Sequence, residues 1–254
     1  MAIKTEPSTR TEMSASTLGA VLVVSGALEI IIPLILGFYV MRRFDTSWKT
    51  WVVGAQMFIV SLIRVPLNAY ASKRVLSVPV GPLTYILLIA IPSLTAGIFE
   101  EAARYLGLRY FIKDDSYEKG LTYGAGHGGI ESILLVGLNV LSVGVTLIRS
   151  PEALPPAQLD SLLATPFYLP LVGVYERIIA MAVQIGFSVM VLVSIRRKDV
   201  KYLLAAIGLH AFLDFLAVYV AGYNILYSEL LITGFAVGLG YWAIKVLREE
   251  GIMG

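Results

Sequence analysis

The chain has 254 residues, of which 57% are hydrophobic and only 15% are charged, and its mean hydropathy is +0.78. Soluble domains carry about 25% charged residues, so this composition indicates an integral membrane protein. A net charge of +2 with scattered basic residues argues against a nucleic-acid partner, and the lack of cysteine in the sequence excludes disulfides and thiolate metal ligands.

The N-terminal thirteen residues are polar and of mixed charge. They lack the basic start, short apolar core and small-residue cleavage site of a signal peptide, so we expect the first apolar segment to be a retained anchor. No internal repeat or low-complexity block divides the chain. The sequence therefore predicts a polar tail over residues 1–17 and a single transmembrane helical domain over residues 18–254, which carries the functional residues.

Seven apolar segments are long enough to cross a bilayer, which takes about 20 helical residues. They are residues 18–41, 50–71, 80–103, 121–148, 167–195, 200–221 and 224–247. The sequence thus predicts an all-α bundle of seven transmembrane helices, a multi-pass protein of the cell membrane. The third helix is expected to run on in amphipathic form to residue 113. Residues 151–166 are expected to form a polar loop that contains proline.

The basic residues predict how the bundle is oriented, because Lys and Arg accumulate on the cytoplasmic side. Twelve of them lie on alternate loops and at the C-terminus, and five lie on the opposite side. The larger set comprises Arg42, Arg43, Lys49, Arg109, Lys113, Lys119, Arg196, Arg197, Lys198, Lys201, Lys245 and Arg248. We therefore expect the N-terminus outside and the C-terminus in the cytoplasm, with Lys73 and Arg74 of the second loop facing out.

Both histidines of the chain lie within apolar spans, and each is followed four residues later by an acid. A charge at the bilayer centre costs at least roughly 2.5 kcal/mol, so such residues are functional candidates. Residues four apart share a helix face, and His127 with Glu131, like His210 with Asp214, therefore presents an imidazole beside a carboxylate. Two such pairs facing one another would form a metal site. Its nitrogen and oxygen ligands suit zinc with one position open for water.

Two more carboxylates, Glu100 and Glu101, lie at the cytoplasmic end of the third span, and Arg104 follows within one helical turn. His210 lies about ten residues from the inner end of the sixth span, which corresponds to a depth of about 15 Å. We therefore expect the acids and histidines to converge on a water-accessible cavity that opens from the cytoplasm.

Four further ionisable residues within the spans are Glu29, Arg64, Glu176 and Arg177. We interpret them as structural partners within the bundle, and we expect Glu29 to pair with Arg64. Glu176 is also kept as a residue that supports the site.

The segment T-Y-G-A-G-H-G-G-I-E-S, residues 122–132, surrounds the first histidine with glycine. Gly124, Gly126 and Gly129 match the dinucleotide pattern G-x-G-x-x-G, but that motif requires a preceding strand, and both flanks here are membrane helix. Small residues in membrane helices let backbones approach closely, so we expect tight helix packing at this point. The same glycines are expected to leave room for a substrate backbone.

Three motifs on successive later spans carry a family resemblance. They are E-E-A-A-R at residues 100–104, G-H-G-G-I-E at 126–131 and H-A-F-L-D at 210–214. In this order they resemble the YhfC-like membrane peptidases, a branch of the superfamily that contains the CAAX prenyl endopeptidases and bacteriocin-processing enzymes. The same superfamily includes the anterior-pharynx-defective subunit of gamma-secretase, whose topology is similar to the one predicted here. The resemblance covers residues 97–219.

The resemblance implies roles for individual residues. The paired glutamates of the family fall on Glu100 and Glu101, the accompanying arginine on Arg104, and the two motif histidines on His127 and His210. The implied activity is that of an intramembrane endopeptidase whose substrates are membrane proteins or lipidated peptides in the bilayer.

Three positions depart from the family pattern. Only Ala102 and Ala103 separate the second glutamate from the arginine, where prenyl endopeptidases have three residues, and this leaves open which glutamate leads. Asp214 stands where prenyl endopeptidases often carry asparagine. Gln184 stands where the YhfC-like branch is expected to carry a histidine in the fifth span.

The leading hypothesis is a metalloprotease. His127 and His210, with Glu131 or Asp214, would hold a zinc ion that activates water and polarises the scissile carbonyl. One of the paired glutamates would take the proton of that water, and Arg104 would orient a carboxylate. A metal-free version keeps the same residues, with glutamate and histidine acting directly on water and with His210 and Asp214 stabilising the oxyanion.

Two other classes of function stay open at this point. A non-catalytic scaffold or substrate-recruiting subunit would use the polar residues to hold its bundle together. A metal-coupled or proton-coupled transporter would carry inverted repeats, and the sequence shows none. The sequence identifies neither the substrate nor the oligomeric state.

Overall fold

The computed structural model describes residues 14–252, and within them the regular structure is entirely helical. Most of the predicted polar tail, residues 1–13, lies outside the described residues. Seven helical units are long and apolar enough to cross a membrane, and they are called the first to seventh spans. They are Ala15–Arg43, Trp48–Val75, Pro82–Ile112, Tyr117–Arg149, Leu169–Arg197, Val200–Ala221 and Ile225–Glu249. The prediction of an all-α multi-pass membrane protein is confirmed.

Three spans are interrupted. The second consists of the α-helices Trp48–Ser61 and Arg64–Val75. The third continues from Pro82–Leu106 into a π-helical turn, Gly107–Ile112, which bears out the predicted extension. The fourth runs through Tyr117–Glu131, a π-helical segment Ser132–Gly137 and Leu138–Arg149.

The prediction that residues 151–166 form a loop was wrong in part. This connection contains a short 3-10 turn, Pro151–Ala153, and a two-turn α-helix, Pro156–Leu163. Proline favours the first turn of a helix, because its missing N–H has no intrahelical partner there. The prolines that suggested a loop therefore begin short helices instead.

Pro66 explains the break in the second span. It has no N–H to donate to the carbonyl of Leu62, so the regular hydrogen-bond ladder cannot continue through this point. The backbone uses tighter bonds instead, from Leu62 N to the Ile59 carbonyl at 3.1 Å and from Val65 N to the Leu62 carbonyl at 2.9 Å. The second half of the span therefore starts afresh, with Arg64 as its first residue.

The fifth span forms the centre of the bundle. In its apolar window 72% of the residues are buried by the protein, compared with 17% for the sixth span. It packs against the first, third, fourth, sixth and seventh spans. The residues of the predicted site lie on the third, fourth and sixth spans, so the fifth span supplies the wall that they share.

Glycines bring the fourth span into backbone contact with its neighbours on two sides. A Cβ atom on Gly126 would strike the carbonyl oxygen of Trp51 in the second span. A Cβ atom on Gly124 would lie 2.7 Å from the Cα atom of Ile185 in the fifth span. The predicted close packing is therefore present. The expected space for a substrate backbone beside these two glycines is instead filled by the second and fifth spans.

Candidate active site

The two adjacent glutamates of the third span have different surroundings. Successive helical residues point about 100° apart, so neighbouring side chains cannot share a face. Glu100 faces a cavity and the histidine of the fourth span, whereas Glu101 contacts Arg104 of its own span and His210 of the sixth span. Both are buried, and Glu101 has no exposed surface.

Glu101 holds two side chains in place. Arg104 donates from Nε to one of its oxygens at 2.9 Å, and the other oxygen lies 2.7 Å from Nδ1 of His210. An ionised carboxylate can only accept hydrogen bonds, so the Nδ1 atom of His210 carries the hydrogen. The Nε2 atom of a neutral His210 ring is then free to accept a proton or to bind a metal.

Arg104 is enclosed by the protein and has no exposed surface. Besides Glu101, its guanidinium donates to the carbonyl oxygen of Gln184 at 2.7 Å, to Oγ of Ser188 at 2.5 Å and to the side-chain oxygen of Gln184. The planar guanidinium fork can satisfy several fixed acceptors at once, which an ammonium cannot reproduce. Arg104 therefore fixes the third span to the fifth.

Glu100 is the point where the two histidines meet. Its Oε2 atom lies 3.2 Å from Nε2 of His127 and 3.9 Å from Nε2 of His210. The two Nε2 atoms are therefore at most about 7 Å apart. Zinc lies about 2.0 to 2.1 Å from an imidazole nitrogen, so the two rings would bind one ion after a small approach. The other oxygen of Glu100 is paired with Arg64 of the second span.

The two imidazole rings differ in environment. His127 has no exposed surface and lies against the edge of Phe58 and the face of Tyr123, with ring centroids 5.2 and 6.4 Å away. The expectation of a water-accessible ring was therefore wrong for His127. The His210 ring stacks on Phe187 at 5.0 Å and lines the cavity. Within residues 14–252, Nδ1 of His127 has no hydrogen-bond partner.

Of the two predicted pairs of a histidine with an acid, the structure contains one. Nε2 of His210 lies 3.7 Å from Oδ2 of Asp214, as the spacing of four residues predicts. Glu131 instead accepts a hydrogen bond at 2.7 Å from Gln184, and it lies 3.5 Å from Arg177. Its polar partners are thus on the fifth span.

Two residues were missed as parts of the site. Arg64 pairs with Glu100, so the expected pairing of Arg64 with Glu29 was wrong. Gln184 bridges two acids, because its amide nitrogen donates to Glu131 and, at 3.3 Å, to Glu100. An arginine and a glutamine within apolar spans were visible in the sequence, but no spacing rule connects them to an acid on another helix.

The cavity has a volume of about 320 Å³, and residues of the second to the seventh spans line it. On the third, fifth and sixth spans these are residues 92–100, 176–184 and 210–218, which lie toward the span ends at Pro82, Leu169 and Ala221. In the predicted orientation those ends lie outside, so the expectation of a cytoplasmic opening was wrong for this cavity. Its polar wall is formed by Arg64, Glu100, Glu131, Glu176, Arg177, Gln184, His210 and Asp214. Glu176, predicted to support the site, is paired with Arg177 there. Glu101, Arg104 and His127 do not line the cavity. They lie behind it and contact residues that do.

The donor chemistry of the site suits a zinc ion. Two imidazole Nε2 atoms and the Glu100 carboxylate face one another, Asp214 lies beside them, and the carboxylate on Nδ1 of His210 is the usual outer partner of a ligating histidine. In the part of the chain that the structure describes, no three acidic or histidine side chains yet surround a common position. These side chains are of the types that bind zinc, and metal binding would require them to move closer to one another.

Two comparisons with known proteins show which family this chain is related to. Residues 28–236 match the model of the family described as YhfC intramembrane metalloprotease. The membrane protein YhfC of Bacillus subtilis (strain 168) is 34% identical to it over 253 residues, which covers 89% of this chain and 95% of the relative. No solved structure gives a significant match.

Proposed function

Because the chain belongs to the YhfC intramembrane metalloprotease family, we propose that it is an endopeptidase that hydrolyses peptide bonds of membrane-associated or transmembrane substrates in its polar cavity. The observation that carries the proposal is the shared oxygen of Glu100. This oxygen faces Nε2 of both histidines, and Glu100 and His210 line the same cavity of about 320 Å³.

In this proposal Glu100 is the general base. It takes a proton from the attacking water, whose oxygen bonds to the scissile carbonyl carbon, and it returns that proton to the nitrogen of the leaving amine as the C–N bond breaks. Gln184 and Arg64 donate to the Glu100 carboxylate and hold it at the wall of the cavity. General acid–base catalysis of this kind contributes about 10² to 10⁴ in rate.

His127 and His210, with Asp214, are the side chains that would hold the zinc ion, through Nε2 of each ring and the aspartate carboxylate. Bound zinc supplies a Lewis acid that lowers the pKa of water and polarises a carbonyl oxygen. The predicted alternative ligand, Glu131, is held by Gln184 and Arg177, so we assign it to the cavity wall.

Glu101 and Arg104 are assigned as positioning residues. Glu101 orients His210 through Nδ1, and Arg104 holds Glu101 in place through Nε. We assign Glu100 rather than Glu101 as the base because Glu100 lines the cavity, whereas Glu101 has no exposed surface and lies behind the cavity wall.

The proposed function is tested on the purified full chain in detergent or nanodiscs. Zinc content would be measured by elemental mass spectrometry, and cleavage would be measured on a panel of transmembrane and lipidated peptides. We expect stoichiometric zinc and cleavage that Glu100→Gln removes. Folded protein that binds no zinc and cleaves no peptide in the panel would overturn the proposal.

The same experiment separates an enzyme from a scaffold. The buried contacts of Arg104 with Glu101 and Gln184 are what a scaffold would need, and they alone do not require catalysis. If the protein is a scaffold, Glu100→Gln would lower its thermal stability, and no peptide cleavage would be seen with or without the substitution. An enzyme would lose the rate while its unfolding temperature stayed near that of the wild type.

A further inference from the structure

A second cavity, of about 590 Å³, lies between the fifth and seventh spans. We call it the lateral groove, and its walls are residues 168–175 and 226–230. The walls are mostly aliphatic and aromatic, and several are well exposed at the surface of the bundle, such as Leu230 at 68%. This surface lies on the outside of the bundle near the start of both spans, so the groove is accessible to a segment that approaches from the surrounding bilayer.

The lateral groove continues along the same two helices as the cavity. On the fifth span, Val172 lines the groove, and Glu176, four residues later on the same face, lines the cavity. On the seventh span, Glu229 lines the groove, and Ile232, three residues later, lines the cavity. A chain lying along these helices would therefore pass from one to the other.

One buried acid lines the lateral groove without a partner. Glu229 is only 5% exposed, and in residues 14–252 its Oε2 atom receives no hydrogen bond. A buried polar group without a partner is costly, so it points to a ligand that supplies a donor. Arg177 lies within Coulombic range of Glu229, but it is already paired with Glu176 and Glu131. Carboxylates outnumber cations here, so a basic partner would supply the donor and also balance the charge.

We propose that the lateral groove binds the apolar segment on one side of the scissile bond, and that Glu229 pairs with a basic residue, a lysine, in that segment. This inference rests on the proposed protease function. The aliphatic part of a lysine side chain can lie along apolar walls while its ammonium reaches a carboxylate, so one residue type satisfies both the groove and Glu229.

The geometry gives an approximate register for the lysine. Tyr175, which shares the groove with Glu229, lies nine residues before Gln184, which is bonded to Glu100, and this is about 13 Å along a helix. An extended peptide covers about 3.3 to 3.6 Å per residue. The lysine is therefore expected about four residues from the bond that is cut.

The test measures binding apart from cleavage. The full chain carrying Glu100→Gln would be placed in phosphatidylcholine nanodiscs and titrated with fluorescent transmembrane peptides of leucine and alanine, each with one lysine at a different position. Matched peptides carry norleucine, which is uncharged, in place of the lysine. We expect some lysine position to bind at least roughly 10-fold more tightly than its norleucine match, and Glu229→Gln to remove that gain.

Glu229→Gln preserves the size of the side chain, and Glu249→Gln is the matched control, since Glu249 is an exposed acid at the far end of the same span. A second pair of variants tests whether the peptide occupies the lateral groove. Leu226→Trp fills the groove and should weaken lysine-peptide binding by about the same factor as Glu229→Gln. Val237→Trp, at a 67% exposed position outside the groove, should not.

Three results would overturn the proposal. The first is equal binding of lysine and norleucine peptides at every position, and the second is a lysine preference that survives Glu229→Gln. The third is loss of peptide binding when phosphatidylethanolamine is added, which would assign the groove to a lipid amine. Lysine-dependent binding without cleavage by the wild type would contradict the protease function and support the proposed role of the groove. Cleavage without any lysine preference would support the protease function and contradict the role of the groove.

Discussion

Glu101 lies 2.7 Å from Nδ1 of His210, and this contact joins the third span to the sixth. The adjacent Glu100 makes no comparable contact with Nδ1, and its Oε2 atom is left facing the Nε2 atoms of both histidines. Two neighbouring residues of the same type thus have different tasks, because a helix points them in different directions.

This division predicts different effects for Glu100→Gln and Glu101→Gln. Glu100→Gln removes a base beside an open cavity, so we expect the catalytic rate to fall by at least roughly 10². Its partner Arg64 is partly exposed and keeps Asp214 within Coulombic range, so we expect a smaller fall in unfolding temperature than for Glu101→Gln. Glu101→Gln leaves the fully buried Arg104 without its carboxylate, and breaking a buried ion pair costs about 3 to 5 kcal/mol. Rates on a cleaved peptide and thermal unfolding in detergent check both. Equal destabilisation by the two variants would contradict the assignment.

Metal binding is expected to depend on both histidines. His127→Ala and His210→Ala should each lose bound zinc, together with peptide cleavage, as measured on the purified variants by elemental mass spectrometry. Tyr123→Phe is the matched control, because Tyr123 stacks on His127 and its buried hydroxyl has no partner among the described residues. This control should keep the metal. Full zinc occupancy in either alanine variant would exclude that ring as a ligand.

The close packing of the fourth span predicts a large effect for a single methyl group. Gly126→Ala would drive its Cβ atom into the Trp51 carbonyl, so we expect a loss of about 1 to 3 kcal/mol in stability. Gly208→Ala on the sixth span is the control, since no atom lies within 4 Å of its Cβ position. Alanine is the better helix former, and this control should be neutral or stabilising by up to about 1 kcal/mol. Similar unfolding temperatures for the two variants would contradict the packing argument.

The orientation of the bundle remains a prediction from its basic residues. Tags or single cysteines should place the segment 196–201 and the C-terminus in the cytoplasm, and residues 151–166 outside, because Lys and Arg favour the cytoplasmic side. Accessibility to a membrane-impermeant thiol reagent, added to intact cells or to inverted vesicles, measures this. Labelling of residues 151–166 only from the cytoplasmic side would reverse the orientation, and it would also place the span ends nearest the cavity on the cytoplasmic side.

The seven spans were predictable because each apolar run is longer than the bilayer requires, and hydropathy is a property of the run itself. The convergence of Glu100, His127 and His210 was predictable from the motifs. The separate surroundings of Glu100 and Glu101 were not. They depend on the rotation of the third span, which is set by contacts such as Gly97, whose Cβ position is 2.5 Å from the Ile207 carbonyl of the sixth span.

The other contacts that the sequence did not predict join helices that are distant in the chain. Arg64 and Glu100 are 36 residues apart, and their pairing depends on where the second span breaks before Pro66. The pairing of Glu131 with Gln184 likewise depends on how the fourth and fifth spans meet. Periodicity along one helix can indicate which side chains share a face, but it cannot indicate which face of another helix lies opposite.

The central position of the fifth span has a consequence for how the protein is made. Three of the spans that surround it precede it in the chain, and two, the sixth and seventh, follow it. During synthesis the fifth span therefore precedes the sixth and seventh spans, which line the cavity together with Arg177 and Gln184. Only when the last two spans associate with it is the wall that carries His210 and Asp214 in place, so the proposed active site is among the last parts of the protein to form.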